Sequence, residues 1–185
     1  MKVEFKASEE QLILRLQDED TRHHAFRELV GLYKERLYWH IRNLVKDHDD
    51  TDDVLQNTFI KIFNNINGFK GDSKLFSWMY RIATNEAINH LNQKAKKFNL
   101  SSEELQDHLV NKLESDVYFE GDEIQLKLQK AIASLPEKQQ LVFNMKYFEE
   151  LKYKEISDIL GTSEGALKAS YHIAVKKVED FLKGN

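Results

Sequence analysis

The sequence predicts an all-α protein of two small helical domains joined by an acidic linker, the C-terminal one a helix-turn-helix. Three observations carry this. One proline and seven glycines in 185 residues leave few breakers, which favours long helices over a turn-rich β fold. Apolar residues recur every three or four positions over long stretches, the period of a buried helical stripe. Charge divides the chain: residues 1–98 carry 16 basic and 15 acidic side chains, residues 99–124 one lysine against eight acids, and residues 125–185 ten lysines against eight acids. The expected boundaries are therefore 1–98, 99–121 and 122–185.

Ser8-Glu9-Glu10-Gln11 has capping-box spacing and opens a short helix with Leu12, Leu14 and Leu16. Phe26, Leu29, Val30, Tyr33, Leu37, Ile41 and Leu44 mark a longer one. The cluster Asp47, Asp49, Asp50, Asp52 and Asp53 puts negative charge at the start of the next, where the macrodipole favours it, and Leu55, Phe59, Ile62, Phe63 and Ile66 form its stripe. Asn67-Gly68-Phe69-Lys70-Gly71-Asp72 is loop. Ser73 is expected to cap a helix running through Leu75, Met79, Ile82, Ala83, Ala87 and Leu91 to about Lys97. Residues 99–121 lack a sustained stripe and read as a linker, partly disordered in isolation.

Asp122 is expected to start the first C-terminal helix, and Pro136 sits at the first turn of the second. Glu155–Leu160 then reads as a short helix, Gly161 as its left-handed terminator, and Thr162 or Ser163 as the cap of a long final helix.

Several classes are excluded or disfavoured at once. Without cysteine the chain has no disulfide framework and no thiolate metal site. The first six residues lack the apolar run of a signal peptide and no stretch is long enough to span a membrane, so the cytoplasm is the expected compartment. A net charge of −4 argues against an autonomous, high-affinity nucleic-acid binder.

Two segments carry chemistry. Helix, glycine turn and capped helix form the helix-turn-helix signature; Leu167, Tyr171, Ala174, Val178 and Phe181 would be its buried stripe. Ser163, Gly165, Lys168, Ala169, His172 and Lys176 lie elsewhere, small residues permitting close approach to DNA and cationic ones contacting phosphates or base acceptors. An ordinary helical hairpin with a solvated face is the plainer reading of that pattern. Phe69 to Asn85 joins a basic loop to a helix start crowded with aromatics and carrying Arg81 and Asn85, a mixture suited to unstacked single-stranded bases. Phe76, Trp78 and Tyr80 are each better core residues singly, yet they span more than one turn and cannot all face inward.

Asp52-Asp53-Val54-Leu55-Gln56-Asn57-Thr58-Phe59-Ile60-Lys61-Ile62-Phe63, then Phe69-Lys70-Gly71, then Phe76-Ser77-Trp78-Met79-Tyr80-Arg81-Ile82-Ala83-Thr84-Asn85, resembles the second conserved region of extracytoplasmic-function (ECF) sigma factors of RNA polymerase. Leu135-Pro136-Glu137-Lys138-Gln139-Gln140 and Glu155 through Lys177 resemble their fourth. The resemblance implies a factor that binds bacterial core polymerase, through the β′ clamp and β subunits, and directs promoter-specific initiation. It implies core-polymerase contacts at Asp53, Gln56 and Asn57. It implies −10 element contacts at Lys70, Trp78, Arg81 and Asn85, and −35 element contacts at Ser163, Gly165, Lys168, Ala169, His172 and Lys176. The acidic linker would thread the basic RNA path of the polymerase. An anti-sigma factor is an expected partner; no cofactor, metal or small-molecule substrate is expected.

The chain departs from the family pattern twice. Lys168 is followed by Ala169-Ser170 where relatives commonly carry Ser-Arg, so fewer guanidiniums are available for bidentate contacts to guanine. Trp78-Met79 stands where the primary sigma factor has paired tryptophans, which leaves both stacking on DNA and packing inside open to Trp78. Two rivals are weaker. A metal hydrolase would rest on His48-Asp49-Asp50 with Asp52-Asp53, a run that an acidic helix start explains more simply. An autonomous helix-turn-helix regulator would need its own dimer interface and duplex affinity.

Overall fold

A computed structural model describes residues 2–114 and 123–184, and every regular element among them is a helix. The order is α1 (Lys2–Gln17), α2 (Arg22–Val45), α3 (His48–Asn65), a 3-10 turn (Ile66–Gly68), α4 (Leu75–Phe98), α5 (Ser102–Glu114), α6 (Glu123–Ala133), α7 (Glu137–Tyr147), α8 (Tyr153–Leu160) and α9 (Glu164–Lys183).

Helices α2, α3 and α4 pack against one another and α1 lies on α2. Their stripes close on a core in which Leu29, Leu37, Ile41, Val45, Ile62, Met79 and Ala83 are fully or almost fully buried. Only Lys46 and Asp47 separate α2 from α3. Lys46 takes the left-handed conformation at φ 63° and donates its N–H to the Arg42 carbonyl; the Asp47 carboxylate accepts from the Asp50 N–H at 2.9 Å. The acidic run is thus a helix start, as its sequence predicts. Burial alone would raise the Asp47 pKa, but the Asp50 N–H and Lys112 outweigh it and hold the carboxyl below its ordinary value.

Three expectations about helix starts are corrected. α1 begins at Lys2, so Ser8-Glu9-Glu10-Gln11 lies inside the helix and opens nothing. The stripe there is narrower than predicted: Leu12 and Leu16 are buried while Leu14 is 67% exposed, because alternate positions on a helix face different ways. Glu9 instead accepts the Leu75 N–H at 2.9 Å, across 66 residues, and so caps α4. Ser73 does not cap it; Lys74 holds the cap position with no side-chain hydrogen bond of its own.

The third correction is α5, a helix inside the segment expected to be a linker without a sustained stripe and partly disordered in isolation. The Ser101 hydroxyl accepts the Glu104 N–H at 3.2 Å and the Glu104 carboxylate accepts the Ser101 N–H at 2.7 Å, a reciprocal capping box. Leu105, Leu109 and Val110 are buried, and Lys112 pairs with Asp47. The expected helix start at Asp122 lies outside the described residues.

The C-terminal helices follow their sequence signals closely. Pro136 is the cap position of α7. Gly161 ends α8 at φ 65°, a conformation that costs any other L-residue strain, and Ser163 accepts from the Ala166 N–H to cap α9. Leu167, Ala174 and Val178 are buried as predicted, while Tyr171 and Phe181 are half-buried. A small core of Ala131, Ile132, Leu135, Phe143, Ala174 and Val178 joins α6, α7 and α9. The larger core is shared: Leu141, Val142, Met145, Leu151, Ile156 and Ile159 belong to the same cluster as the residues of α1–α4.

Candidate nucleic-acid and protein interfaces

Asp53, Gln56 and Asn57 are exposed together on one side of α3, while Thr51, Val54, Leu55 and Thr58 of the same helix are buried. Positions three and four apart share a helix face, so the three polar groups form one surface. Beside it runs an apolar groove between α2 and α3, lined by Phe26, Val30, Gln56, Phe59, Ile60 and Phe63, with Asn64 at its rim. Phe26 meets Phe59 and Phe63 edge-on at 6.1 and 5.0 Å between ring centres. Ile60 is 51% exposed. Sequence reasoning placed Phe59 and Phe63 in the core stripe and missed the groove. The available signal was width: with Ile60 added, the apolar positions of α3 cover more than one stripe needs.

Helix α4 carries a second surface. Arg81 and Asn85 are exposed one turn apart, and Lys70 is exposed in the loop before the helix. Phe76 and Tyr80 are buried one turn apart, with ring centres 4.1 Å from each other. Trp78 is half-buried, its ring 5.3 Å from that of Phe69, and its remaining surface lines a cleft with Lys61, Asn65, Gly68 and Ile82. The three aromatics therefore do not all face inward, and Trp78 has one side packed and one side open to a polar cleft.

The third surface lies on α9. Ser163, Gly165, Lys168, Ala169, His172 and Lys176 are all exposed, opposite buried Leu167, Ala174 and Val178. Lys168 has a ring beneath it: its ammonium lies 5.6 Å from the centre of Tyr153. Ile173 is 47% exposed within the same polar set, an apolar contact that sequence reasoning did not assign.

The surface on α4 abuts helix α8. Arg81 donates to the main-chain oxygen of Asp158 in α8, and the Lys74 ammonium lies 2.9 Å from a carboxylate oxygen of Glu155. The other Glu155 oxygen accepts the Lys152 N–H at 3.0 Å. Burial would raise the Glu155 pKa, but Lys74 and that N–H hold it below its ordinary value. Behind them His40, 1% exposed, faces Glu149 Oε1 with Nδ1 at 2.8 Å and Thr84 Oγ1 with Nε2 at 2.9 Å. Burial and the nearby Glu149 raise the Tyr80 pKa, which keeps its hydroxyl protonated.

Among the described residues no helix is long and apolar enough to cross a membrane. Comparison with known proteins matches residues 29–97 to sigma-70 region 2 and residues 125–178 to sigma-70 region 4. The chain is 30% identical over 183 residues to the RNA polymerase sigma-H factor of Pseudomonas aeruginosa, covering 95% of this chain and 94% of that one. It is 29% identical over 156 residues to the ECF RNA polymerase sigma factor SigW of Bacillus subtilis, covering 80% and 83%. Among solved structures its fold is similar to CnrH in complex with the cytosolic domain of CnrY, with a TM-score of 0.70, 18% identity and coverage of 96% and 98%. It is also similar to the sigma factor RpoE bound to the anti-sigma factor NepR from Bartonella quintana, with a TM-score of 0.65, 19% identity and coverage of 85% and 96%.

Proposed function

The chain belongs to the extracytoplasmic-function sigma factors of RNA polymerase, and we propose that it directs initiation through three separate surfaces. Asp53, Gln56 and Asn57 meet core polymerase. Lys70, Trp78, Arg81 and Asn85 engage the −10 element. Ser163, Gly165, Lys168, Ala169, His172 and Lys176 engage the −35 element. The domains are 1–98 and 122–185, with 99–121 linking them. The chemistry of RNA synthesis belongs to the polymerase; this chain supplies recognition in the cytoplasm and needs no cofactor.

The observation that carries this reading is the sorting of polar from apolar residues on α3, α4 and α9. On each helix the assigned groups are accessible, apart from half-buried Trp78, while residues one or two positions away, which face the other side of the helix, are buried. The groove beside Gln56 adds an apolar anchor to the polar face of α3, the mixture found at the centre of protein interfaces. On α4 an aromatic half-face next to a guanidinium and an amide suits stacking on unpaired bases and hydrogen bonding to their edges. The near-neutral charge of both DNA-binding domains fits a subunit that borrows its affinity from polymerase. An anti-sigma factor is a further proposed partner; RpoE, which this chain resembles in fold, is solved in complex with the anti-sigma factor NepR.

The test is reconstitution with core polymerase. The chain should co-purify with core enzyme and confer promoter-specific transcription, while binding duplex promoter DNA poorly alone. Asp53→Ala and Gln56→Ala should each weaken core binding by about 1–3 kcal/mol with helicity unchanged, the usual cost of truncating a polar group in a desolvated contact. Unchanged co-purification of both variants removes α3 from the interface.

A further inference from the structure

Tyr153, the half-buried first residue of α8, carries cations from both neighbouring helices. The Lys146 ammonium of α7 lies 5.3 Å from the centre of its ring, and the Lys168 ammonium of α9 lies 5.6 Å from it. Lys146 is itself held, donating to the Leu151 main-chain oxygen at 3.1 Å. Tyr171 of α9 meets the Tyr153 ring edge-on, with 6.5 Å between centres. The ring is thus braced from α7 and from α9.

Helix α9 contains no arginine, and its full cations are all lysines. A lysine is a point charge on a flexible stem, without the rigid fork by which a guanidinium fixes its own direction toward guanine. Discrimination among bases therefore needs another group to hold the ammonium in place, since preorganisation supplies what the stem lacks. Glu164 stands one turn before Lys168, at ion-pair spacing. Lys168 nevertheless lies against the Tyr153 ring and pairs with no carboxylate among the described residues. The choice of partner matters for reading. A carboxylate would engage N–H donors and cancel the charge. A ring face attracts the ammonium through its quadrupole, leaving the charge intact and N–H donors free to turn outward.

Building on the assignment of Lys168 to the −35 element, we propose that Tyr153 is a positioning residue for promoter specificity, its ring fixing the ammonium with which α9 tells one −35 sequence from another. Lys146 serves the same end at one remove, by bracing the ring. Tyr153 itself needs to touch no base. Specificity then belongs to two helices together, since the reader stands on α9 and its rest stands on α8. Without the ring Lys168 regains its rotamer freedom, so the preferred −35 sequence loses most and the others lose little.

The test uses the full chain with core polymerase on a panel of −35 variants. Tyr153→Phe, Tyr153→Leu, Lys168→Ala and the double variant Tyr153→Leu/Lys168→Ala are compared with the parent. Tyr153→Leu should lower the preference for the best −35 sequence by a factor of about two to five, the strength of an exposed cation–ring contact, while Tyr153→Phe keeps the ring and the preference. The double variant should discriminate no worse than Lys168→Ala, because the ring acts only through that ammonium. A loss equal across the panel, a loss that adds in full to that of Lys168→Ala, or a lost preference in Tyr153→Phe overturns the proposal. A second measurement does not depend on Tyr153→Leu folding. In the proton NMR spectrum of the parent chain, the Tyr153 ring current should move the ε-methylene protons of Lys168 and Lys146 upfield, and ordinary lysine shifts at both overturn the contact. If Lys168→Ala leaves the ranking of −35 sequences unchanged, the assignment of Lys168 falls and the proposal with it. If that ranking changes and Tyr153→Leu leaves it intact, the proposal falls alone.

Discussion

Lys46 gives the sharpest quantitative test of the packing between the two helical halves. It is 3% exposed at the end of α2, and its ammonium reaches the Gln129 side chain of α6 and the Asn43 main-chain oxygen. Burial, reinforced by the Arg42 guanidinium, pushes its pKa from 10.5 down to about 8. The folded state thus releases this proton more readily than the unfolded chain. Between about pH 8 and about pH 10.5 the unfolded chain holds more protons, so stability rises with pH across that window. A depression of that size is worth roughly 3 kcal/mol at full effect, and about 2 kcal/mol should be gained between about pH 7 and about pH 10. Lys46→Met removes the titration but keeps the length of the stem, and both residues bear the same penalty for φ 63°. Urea unfolding followed by circular dichroism on both proteins at both pH values isolates the difference. The parent chain should gain stability on alkalinisation relative to Lys46→Met. Parallel pH dependence in the two proteins refutes a buried, charged Lys46.

The two lysines of α9 should separate by role. Lys176→Ala should weaken holoenzyme binding about equally for all −35 sequences and lower the salt slope by about one unit, whereas Lys168→Ala should cost about 1–3 kcal/mol on the preferred sequence alone. A salt titration over a panel of −35 variants checks both, and identical behaviour of the mutants removes the division. Asn85→Ala should change the ranking of −10 variants in transcription assays, because its amide offers both a donor and an acceptor to a base edge. A uniform loss across the panel makes Asn85 a positioning residue instead.

Helix ends with strong local chemistry were legible in the residues: the acidic run from Asp47 starts α3, Ser163 is the one of the two expected caps that starts α9, and Gly161 turns left-handed where only glycine is comfortable. The α5 box was equally local, Ser101 and Glu104 at the required spacing, but the absence of a long apolar stripe and the surplus of acids masked it. The start of α4 was legible to within a residue, Lys74 in place of Ser73, but the group that caps it was not. Its cap comes from Glu9, and no local pattern reports a partner 66 residues away. The surfaces divide in the same manner. Polar faces on α3 and α9 follow from helical period, whereas the groove beside Gln56 needs α2 and α3 together, and the contact of α4 with α8 needs both halves of the chain.

The carboxylate of Glu9 has a consequence for the order in which this chain acquires structure. The first turn of α4 holds four N–H groups without intrahelical partners, and the one at Leu75 waits on a residue from α1. Closing that contact brings together segments 66 apart in sequence, a slow and entropically unfavourable event beside the coiling of α2 or α3 from neighbours. During synthesis α1 emerges before α4, and it has no Leu75 to grip until α2, α3 and the following loop have left the ribosome. The turn that presents Phe76 and Trp78 is therefore among the last parts of the N-terminal half to become rigid, and a chain with a displaced α1 would carry a frayed start of α4 on an otherwise formed scaffold.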